Sequence, residues 1–275
     1  MREVRIPVVA ITSGKGGVGK TTLSVNLSIA LTRRGCRVSL VDADLGLANA
    51  DVLCGMSPTT RVDALCDREP GVARSMDQIA VPAPGGFRLV PGSVGVARIA
   101  SLGDDARRIL LDGLADLERE SDVILIDTGA GIHDAVSTFV RAADLVLVVA
   151  TPEPTSIADA YALMKCVRAQ STEPPVFALV VNEVTGDAEA LHVHQRLAAT
   201  CKKFLGFPLP LVGIVRRDDA VEDAVRARRP LLIGTPRARA SRDVGDLAGR
   251  VARTLNLESK VVRPAGRGLF GMFRS

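Results

Sequence analysis

A chain of 275 residues can bury the core of one large domain, and nothing in it demands a second. Apolar residues make up 47% but aromatics only 3%, and Trp is absent, so the core must be Val, Leu, Ile and Ala, as suits parallel strands covered on both faces. No apolar run approaches the ~20 residues of a membrane span, the first residues lack a secretion-signal core, and the five cysteines are scattered without a C-x-x-C pair. A membrane-spanning protein, a disulfide scaffold and a zinc or iron–sulfur centre within one chain are thereby excluded, and the reading is cytoplasmic. In chain order, residues 6–11 read as a buried strand. Leu23, Leu27, Ala30 and Leu31 then recur at helical spacing until Gly35 stops the helix. Strands follow at 37–41, 87–90, 122–127, 145–150, 176–181 and 211–215. Residues 51–86, broken by Pro58, Pro70, Pro82, Pro84 and Gly85-Gly86, hold short helices and variable surface. Helices are expected at 104–120 with Ile109, Leu110, Leu114 and Leu117 inward, at 190–205, at 220–229 and at 238–255. His192 and His194, two apart on a helix, point to different faces and do not read as metal ligands.

Between the first strand and the first helix lie Gly14-Lys15-Gly16-Gly17-Val18-Gly19-Lys20-Thr21-Thr22. Gly14, Gly19, Lys20 and Thr21 satisfy the phosphate-loop pattern G-x-x-x-x-G-K-[ST]. The glycines let successive backbone N–H groups turn inward around a phosphate, where a Cβ would block the approach. Lys20 is positioned for β/γ-phosphate oxygens and the Thr21 hydroxyl for Mg²⁺, with the positive end of the helix facing the anion. Two more strands end in carboxylates on that same edge. Residues 37–41 lead into Asp42-Ala43-Asp44-Leu45-Gly46-Leu47-Ala48-Asn49-Ala50-Asp51, and the apolar run 122–126 ends in Asp127, a Walker B arrangement in which the carboxylate holds Mg²⁺, through its water. The pieces imply an α/β fold, a doubly wound and mostly parallel sheet, with ligands at the strand C-terminal edge.

Lys15 occupies a variable position of the loop, and residues 14–22 resemble those of the MinD/ParA ATPases, the deviant Walker A class of P-loop proteins. By that resemblance, which runs to about Leu232, the cofactors are ATP and Mg²⁺. Lys15 reaches across an ATP-dependent homodimer to the partner's nucleotide, Asp44 orients the attacking water, and Asp42 and Asn49 order the first switch and the dimer contact. Thr128-Gly129-Ala130-Gly131 resembles the second switch, where a glycine N–H senses the γ-phosphate, and Asn182 resembles the asparagine that bonds the adenine ring. The scattered cysteines separate the chain from iron–sulfur carriers among these relatives. Residues 151–161, with Ser156 or Thr155 as a helix cap, are close to the flagellar-number regulators FlhG and FleN, as are residues 44–51 and 190–205. That branch implies a switch that counts or positions flagella, with a signal-recognition-type GTPase or flagellar switch proteins as partners. The N-terminal extension that stimulates such a GTPase has no room before a first strand that starts at about residue 6. A division-site MinD, a DNA-binding ParA-type partition ATPase and a nucleotide-binding scaffold with negligible turnover are the alternatives.

The sequence departs from these relatives after the last strand. They place a proline before an acidic residue there, whereas this chain has Arg216-Arg217-Asp218-Asp219, which predicts a differently shaped adenine-side loop. From Arg216 onward there are fourteen Lys/Arg against seven Asp/Glu, a basic portion suited to an anionic surface, membrane or nucleic acid. Residues 1–260 read as the ATPase domain and 261–275 as a flexible linker and short tail. Leu269, Phe270, Met272 and Phe273, flanked by arginines, suit an amphipathic segment in the interface of an anionic membrane, giving reversible peripheral binding; the other reading is an apolar tail docked on its own domain or on a partner.

Overall fold

The computed structural model describes residues 6–44, 47–66, 75–93 and 103–257. Eight strands form one sheet: β1 (Val8–Ser13), β2 (Val38–Ala43), β3 (Val81–Pro82), β4 (Arg88–Val90), β5 (Val123–Ala130), β6 (Leu145–Ala150), β7 (Val176–Val184) and β8 (Leu211–Arg216). Their order is β3-β4-β2-β5-β1-β6-β7-β8. Every pair is parallel except the short β3–β4 ribbon at one edge. Parallel strands need crossover connections, and the helices supply them. In chain order these are α1 (Lys20–Arg33), α2 (Ala50–Leu53), α3 (Met76–Ile79), α4 (Gly103–Leu114), α5 (Asp134–Ala142), α6 (Pro154–Gln170), α7 (Asp187–Phe204), α8 (Asp219–Arg226), α9 (Leu231–Gly234) and α10 (Arg239–Thr254).

Period-two alternation splits the core. Val9, Ile11, Leu40 and Leu147 point to the side covered by α1 and α10, where Leu27, Leu31, Leu247 and Val251 meet them. Val8, Ala10, Ile126 and Val148 point to the other side, against Phe139 of α5, Leu163 of α6 and Leu197 of α7. Both faces being covered, the central strands β1, β2 and β6 are buried along their whole length, which is why they read in sequence as unbroken apolar runs. The expected doubly wound sheet is therefore present.

Three local expectations are corrected. Ile109 is 38% exposed, because Leu110, Leu114 and Leu117 form the inward line of α4 and Ile109 lies about 100° off it, while Leu111 packs against the core from the other flank. The expected helix over 104–120 ends as an α-helix at Leu114 and tightens to a 3₁₀ turn, Ala115–Leu117. Neither Ser156 nor Thr155 caps the helix after β6. Glu153 is its N-cap, Pro154 opens it with φ preset for a first turn, and the Ser156 hydroxyl instead accepts the Thr151 N–H at 3.0 Å. Helix α5 was not foreseen. Its apolar face is Val136, Phe139 and Val140, a signal too short to stand out between two glycines and the next strand.

Candidate functional site

The loop between β1 and α1 is shaped by its glycines. Gly17 and Gly19 sit at φ +78° and +85°, in the left-handed region that L side chains rarely adopt. A Cβ on Gly14 would fall 2.2 Å from the Asp159 carbonyl oxygen of α6, so only glycine lets the loop lie against that helix. Around Gly17 a Cβ would meet nothing within 4 Å, so the loop is open on its outer side. No side chain caps α1 and no acidic residue lies in its first turn, leaving the helix N-terminus ready for an anion. Lys20 is buried and donates to the Ser13 hydroxyl at 2.9 Å, which in turn donates to the Lys15 carbonyl at 2.6 Å. Burial lowers the Lys20 pKa, opposed by the charges of Asp127 and Asp44. Ser13, missed in the sequence because the loop pattern begins one residue later, is thus the partner that holds Lys20.

Asp42 and Asp44 play different parts in the segment that follows β2. Asp42 is 1% exposed, and its carboxylate accepts the N–H groups of Asp44 (3.2 Å), Asn49 and Ala50 (both 3.0 Å), pinning the backbone on either side of residues 45 and 46. Burial pushes it up to about 6, the Asp44 charge adding to the rise and the three N–H groups opposing it. Asp44 is half-buried. Its Oδ1 accepts the Leu47 N–H at 3.2 Å and lies 3.5 Å from where a Gly129 Cβ would be, so the segments after β2 and at the end of β5 touch at Asp44. Asn49 is exposed at the start of α2, its side chain making no capping bond.

Asp127 is wholly buried. Its Oδ1 accepts the Ser24 hydroxyl at 3.0 Å, while its Oδ2 has no hydrogen-bond partner among the described residues. An orphaned carboxylate oxygen beside the Thr21 hydroxyl fits a hard cation with oxygen ligands. Among the described residues no three His, Cys, Asp or Glu gather into a metal cage, and an Mg²⁺ shared with phosphate oxygens needs none. Burial pushes the Asp127 carboxyl up to about 7, helped by the charge of Asp42 and opposed by the Thr21 and Ser24 hydroxyls and Lys20. The native carboxyl therefore holds a proton that an unfolded aspartate, at about 3.9, would release. Its stabilising contribution is full below about pH 4 and is lost as pH rises through about 7. Without nucleotide and metal, Asp127→Asn is expected to gain on the parent in melting temperature between pH 5 and pH 8, by about 5–10 °C. A gap that stays constant would mean that Asp127 is ionised throughout.

Lys15 turns away from its own loop. Its Nζ pairs with the Glu153 carboxylate and donates to the Thr155 hydroxyl at 3.3 Å, both at the start of α6. Residues 151–161, legible in the sequence only as a resemblance, therefore have a physical task in this chain. Gly131, at φ +94°, donates its N–H to the Ser13 carbonyl at 3.0 Å, so sensing a phosphate through that group requires its release. Next to it Ile132 is 49% exposed, and Leu47, in the segment after β2, is 73% exposed. Two bare apolar side chains thus stand on the edge that carries Lys15.

Asn182 reaches the loop from β7. Its Nδ2 donates to the Val18 carbonyl at 2.9 Å and lies 2.5 Å from where a Cβ on Gly19 would sit. Beyond it opens a cavity of about 530 Å³, lined by Gly19 and Thr22 of the loop region, Asn182 and Glu183, Arg217 and Leu231 among others. The loop after β8 is fixed on both sides by charged groups. Arg216 pairs with Asp243 of α10 and, at 2.5 Å, with Asp187 of α7, while Asp218 caps α8 and also accepts the Ala240 N–H, each bond 3.0 Å. A guanidinium clamp across three elements builds this wall. The tail residues Leu269, Phe270, Met272 and Phe273 lie outside the described residues.

A phosphate loop with a second lysine, buried carboxylates at the ends of β2 and β5, and a cavity beyond α1 invite comparison with known proteins. The CbiA profile, described as the CobQ/CobB/MinD/ParA nucleotide binding domain, matches residues 9–231. Antiactivator FleN of Pseudomonas aeruginosa is 40% identical over 236 residues, 86% of this chain and 82% of FleN. The flagellum site-determining protein YlxH of Helicobacter pylori is 30% identical over 282 residues, 97% of this chain and 88% of YlxH. In fold the chain is similar to the septum site-determining protein MinD of Pyrococcus horikoshii, with a TM-score of 0.77 over 93% of this chain and 99% of that one, at 21% identity. With the match running from β1 to α9, the chain belongs to the CobQ/CobB/MinD/ParA family of nucleotide-binding domains, and within it to the MinD/ParA-type P-loop proteins.

Proposed function

We propose that the protein is a Mg²⁺-dependent ATPase whose ATP-bound form dimerises, a switch that positions or counts a cellular structure, with flagella as the first choice. The observation that carries this reading is Lys15, an extra lysine on a phosphate loop whose own cradle is already complete with Lys20. A cation that its own loop does not need is available for a second nucleotide. The bare Leu47 and Ile132 on the same edge support a face that is covered in one state.

In this reading the inward N–H groups of residues 14–19 and the first turn of α1 bind the phosphates, and Lys20 neutralises the β/γ oxygens. Mg²⁺, when bound, would supply charge neutralisation at those oxygens, and Thr21 and Asp127 are the residues that would hold it. Asp44 orients a water for in-line attack on the γ-phosphorus. A new O–P bond forms as the bond to the bridging oxygen breaks, and the water's proton leaves with the phosphate. Positioning, not strong basicity, is what this chemistry asks of Asp44. Lys15 of each subunit stabilises the charge on its partner's phosphates, so that hydrolysis ends the dimer and turnover times its life. Asp42, already holding the Asn49 and Ala50 N–H groups, keeps the first switch in register with β2.

The protein is cytoplasmic in this proposal, with reversible binding to an anionic membrane through the C-terminal tail. No helix among the described residues is long and apolar enough to cross a membrane. One copy of so short a segment binds weakly, and an ATP-bound dimer presents two. The identity of YlxH as a flagellum site-determining protein, and of FleN as the more similar relative, supports the flagellar choice. Co-sedimentation with anionic liposomes and with DNA, each with ATP or ADP, is the test. The expected result is ATP-dependent liposome binding that disappears when residues 269–275 are deleted. Salt-sensitive DNA binding without liposome binding would instead favour a partition-type ATPase, which the basic C-terminal portion also suits.

A further inference from the structure

The cavity beyond the phosphate loop carries a feature that nucleotide binding in general does not require. Strand β7 pairs Val181 with Ile214 and Val184 with Arg216 on β8, so Asn182 and Glu183 together stand opposite Val215 alone. Two residues against one is a β-bulge. In a regular strand, consecutive side chains alternate between faces, and at most one of these two could face the cavity. Here both line it. Glu183 makes this possible by adopting φ +60°, a left-handed conformation uncommon for a residue with a Cβ. Strain of this kind costs free energy and marks a position where the side chain's direction matters.

The Glu183 carboxylate is half-buried and accepts no hydrogen bond from any described residue. The other charged groups of the inner wall are committed, Asp218 to the Ala220 and Ala240 N–H groups and Arg216 to Asp187 and Asp243. Arg217, Asp219 and Glu222 are exposed at the rim. Burial raises the Glu183 pKa, with the charge of Arg217 opposing, as expected for an acceptor set into a partly dry wall. Its neighbour Asn182 has one amide hydrogen on the Val18 carbonyl, which orients that side chain between the loop and the cavity. Nothing among the described residues donates to Glu183, so its acceptors are open to a molecule that enters the cavity.

We propose that Glu183 is the residue that selects the base, accepting a hydrogen bond from the exocyclic 6-amino group of adenine. This rests on the reading that a purine nucleotide lies with its phosphates on residues 14–22 and its base in the cavity. An ionised carboxylate offers acceptors only, so it complements a 6-amino donor and repels a 6-oxo group. Specificity here comes from the bulge, since the arginine clamp in the loop after β8 is turned to structure.

The test compares ATP with inosine triphosphate, which replaces the 6-amino group by a 6-oxo group and adds no 2-amino group. Both are titrated with Mg²⁺ onto the full-length parent, Glu183→Gln and Glu183→Ala, with deoxy-ATP as the ribose control. The parent is expected to bind ATP about tenfold or more tighter than inosine triphosphate. Glu183→Gln, whose amide donates as well as accepts, is expected to bring the two within about threefold, mainly by improving inosine triphosphate. Glu183→Ala is expected to weaken ATP and, with the repulsion gone, to improve inosine triphosphate modestly, so that the two again come within about threefold. A role confined to holding the bulge would weaken both nucleotides by the same factor and leave their ratio intact, which overturns the assignment. A change in the ATP to deoxy-ATP ratio alone would move Glu183 to the ribose and overturn it as well. If the parent binds neither purine nucleotide, the proposed function fails first, and the assignment with it.

Discussion

Lys15→Ala is expected to bind ATP within a few-fold of the parent, to stay monomeric with ATP, and to lose about a hundredfold or more in turnover. The separation of these effects follows from where the side chain is. The phosphate cradle consists of backbone N–H groups, Lys20 and the start of α1, none of which Lys15 touches with its ammonium group. That group is instead held by Glu153 and Thr155, 138 and 140 residues away in sequence. On the proposed dimer reading, truncating it removes a charge that acts only once two subunits meet, so ground-state binding would be spared and the charge built up in the transition state would go unmet. Nucleotide titration, sedimentation velocity with ATP and phosphate release read the three quantities separately. A Lys15→Ala protein that hydrolyses ATP as fast as the parent would undermine the two-subunit site and leave a one-subunit P-loop enzyme.

Asp44→Ala is expected to slow hydrolysis by about 10²–10³ while ATP-bound dimer accumulates. The two aspartates after β2 are expected to give different phenotypes. Asp42 is saturated by three backbone N–H groups and fully buried, so its loss would disorder the segment. Asp44 is half-buried on the loop side and sits against Gly129 of the second switch. Removing its carboxylate leaves the backbone anchored by Asp42 and, on the proposed reading, takes away only the group that would position water. Lasting dimers in size-exclusion runs with ATP, together with slow phosphate release, would support this division. Monomers would show that Asp44 is needed for assembly, not chemistry.

Most of the sheet could be read from the chain because its strands are central and parallel, and burial on both faces writes them as apolar runs ending in Asp42 or Asp127. The phosphate loop was legible for a related reason. Its glycines answer to backbone conformation, which is local, and the pattern carries its own register. Where periodicity was weak or short the sequence misled, as at Ile109 and at the unforeseen α5. The cap of α6 was missed because proline preset the first turn and freed the Ser156 hydroxyl for Thr151.

What the sequence by itself determined is the class of chemistry: a phosphate loop, a second lysine, carboxylates at two strand ends, and a family to which those residues belong. Each depends on residue type at fixed local spacing. What only the tertiary structure decided is which groups face one another across long separations. Lys15 meets Glu153, Ser24 meets Asp127, Arg216 joins Asp187 to Asp243, and a bulge two residues wide turns Asn182 and Glu183 to the same side. Side-chain direction at a bulge and pairing between distant helices are set by register and packing, and no window of sequence contains them.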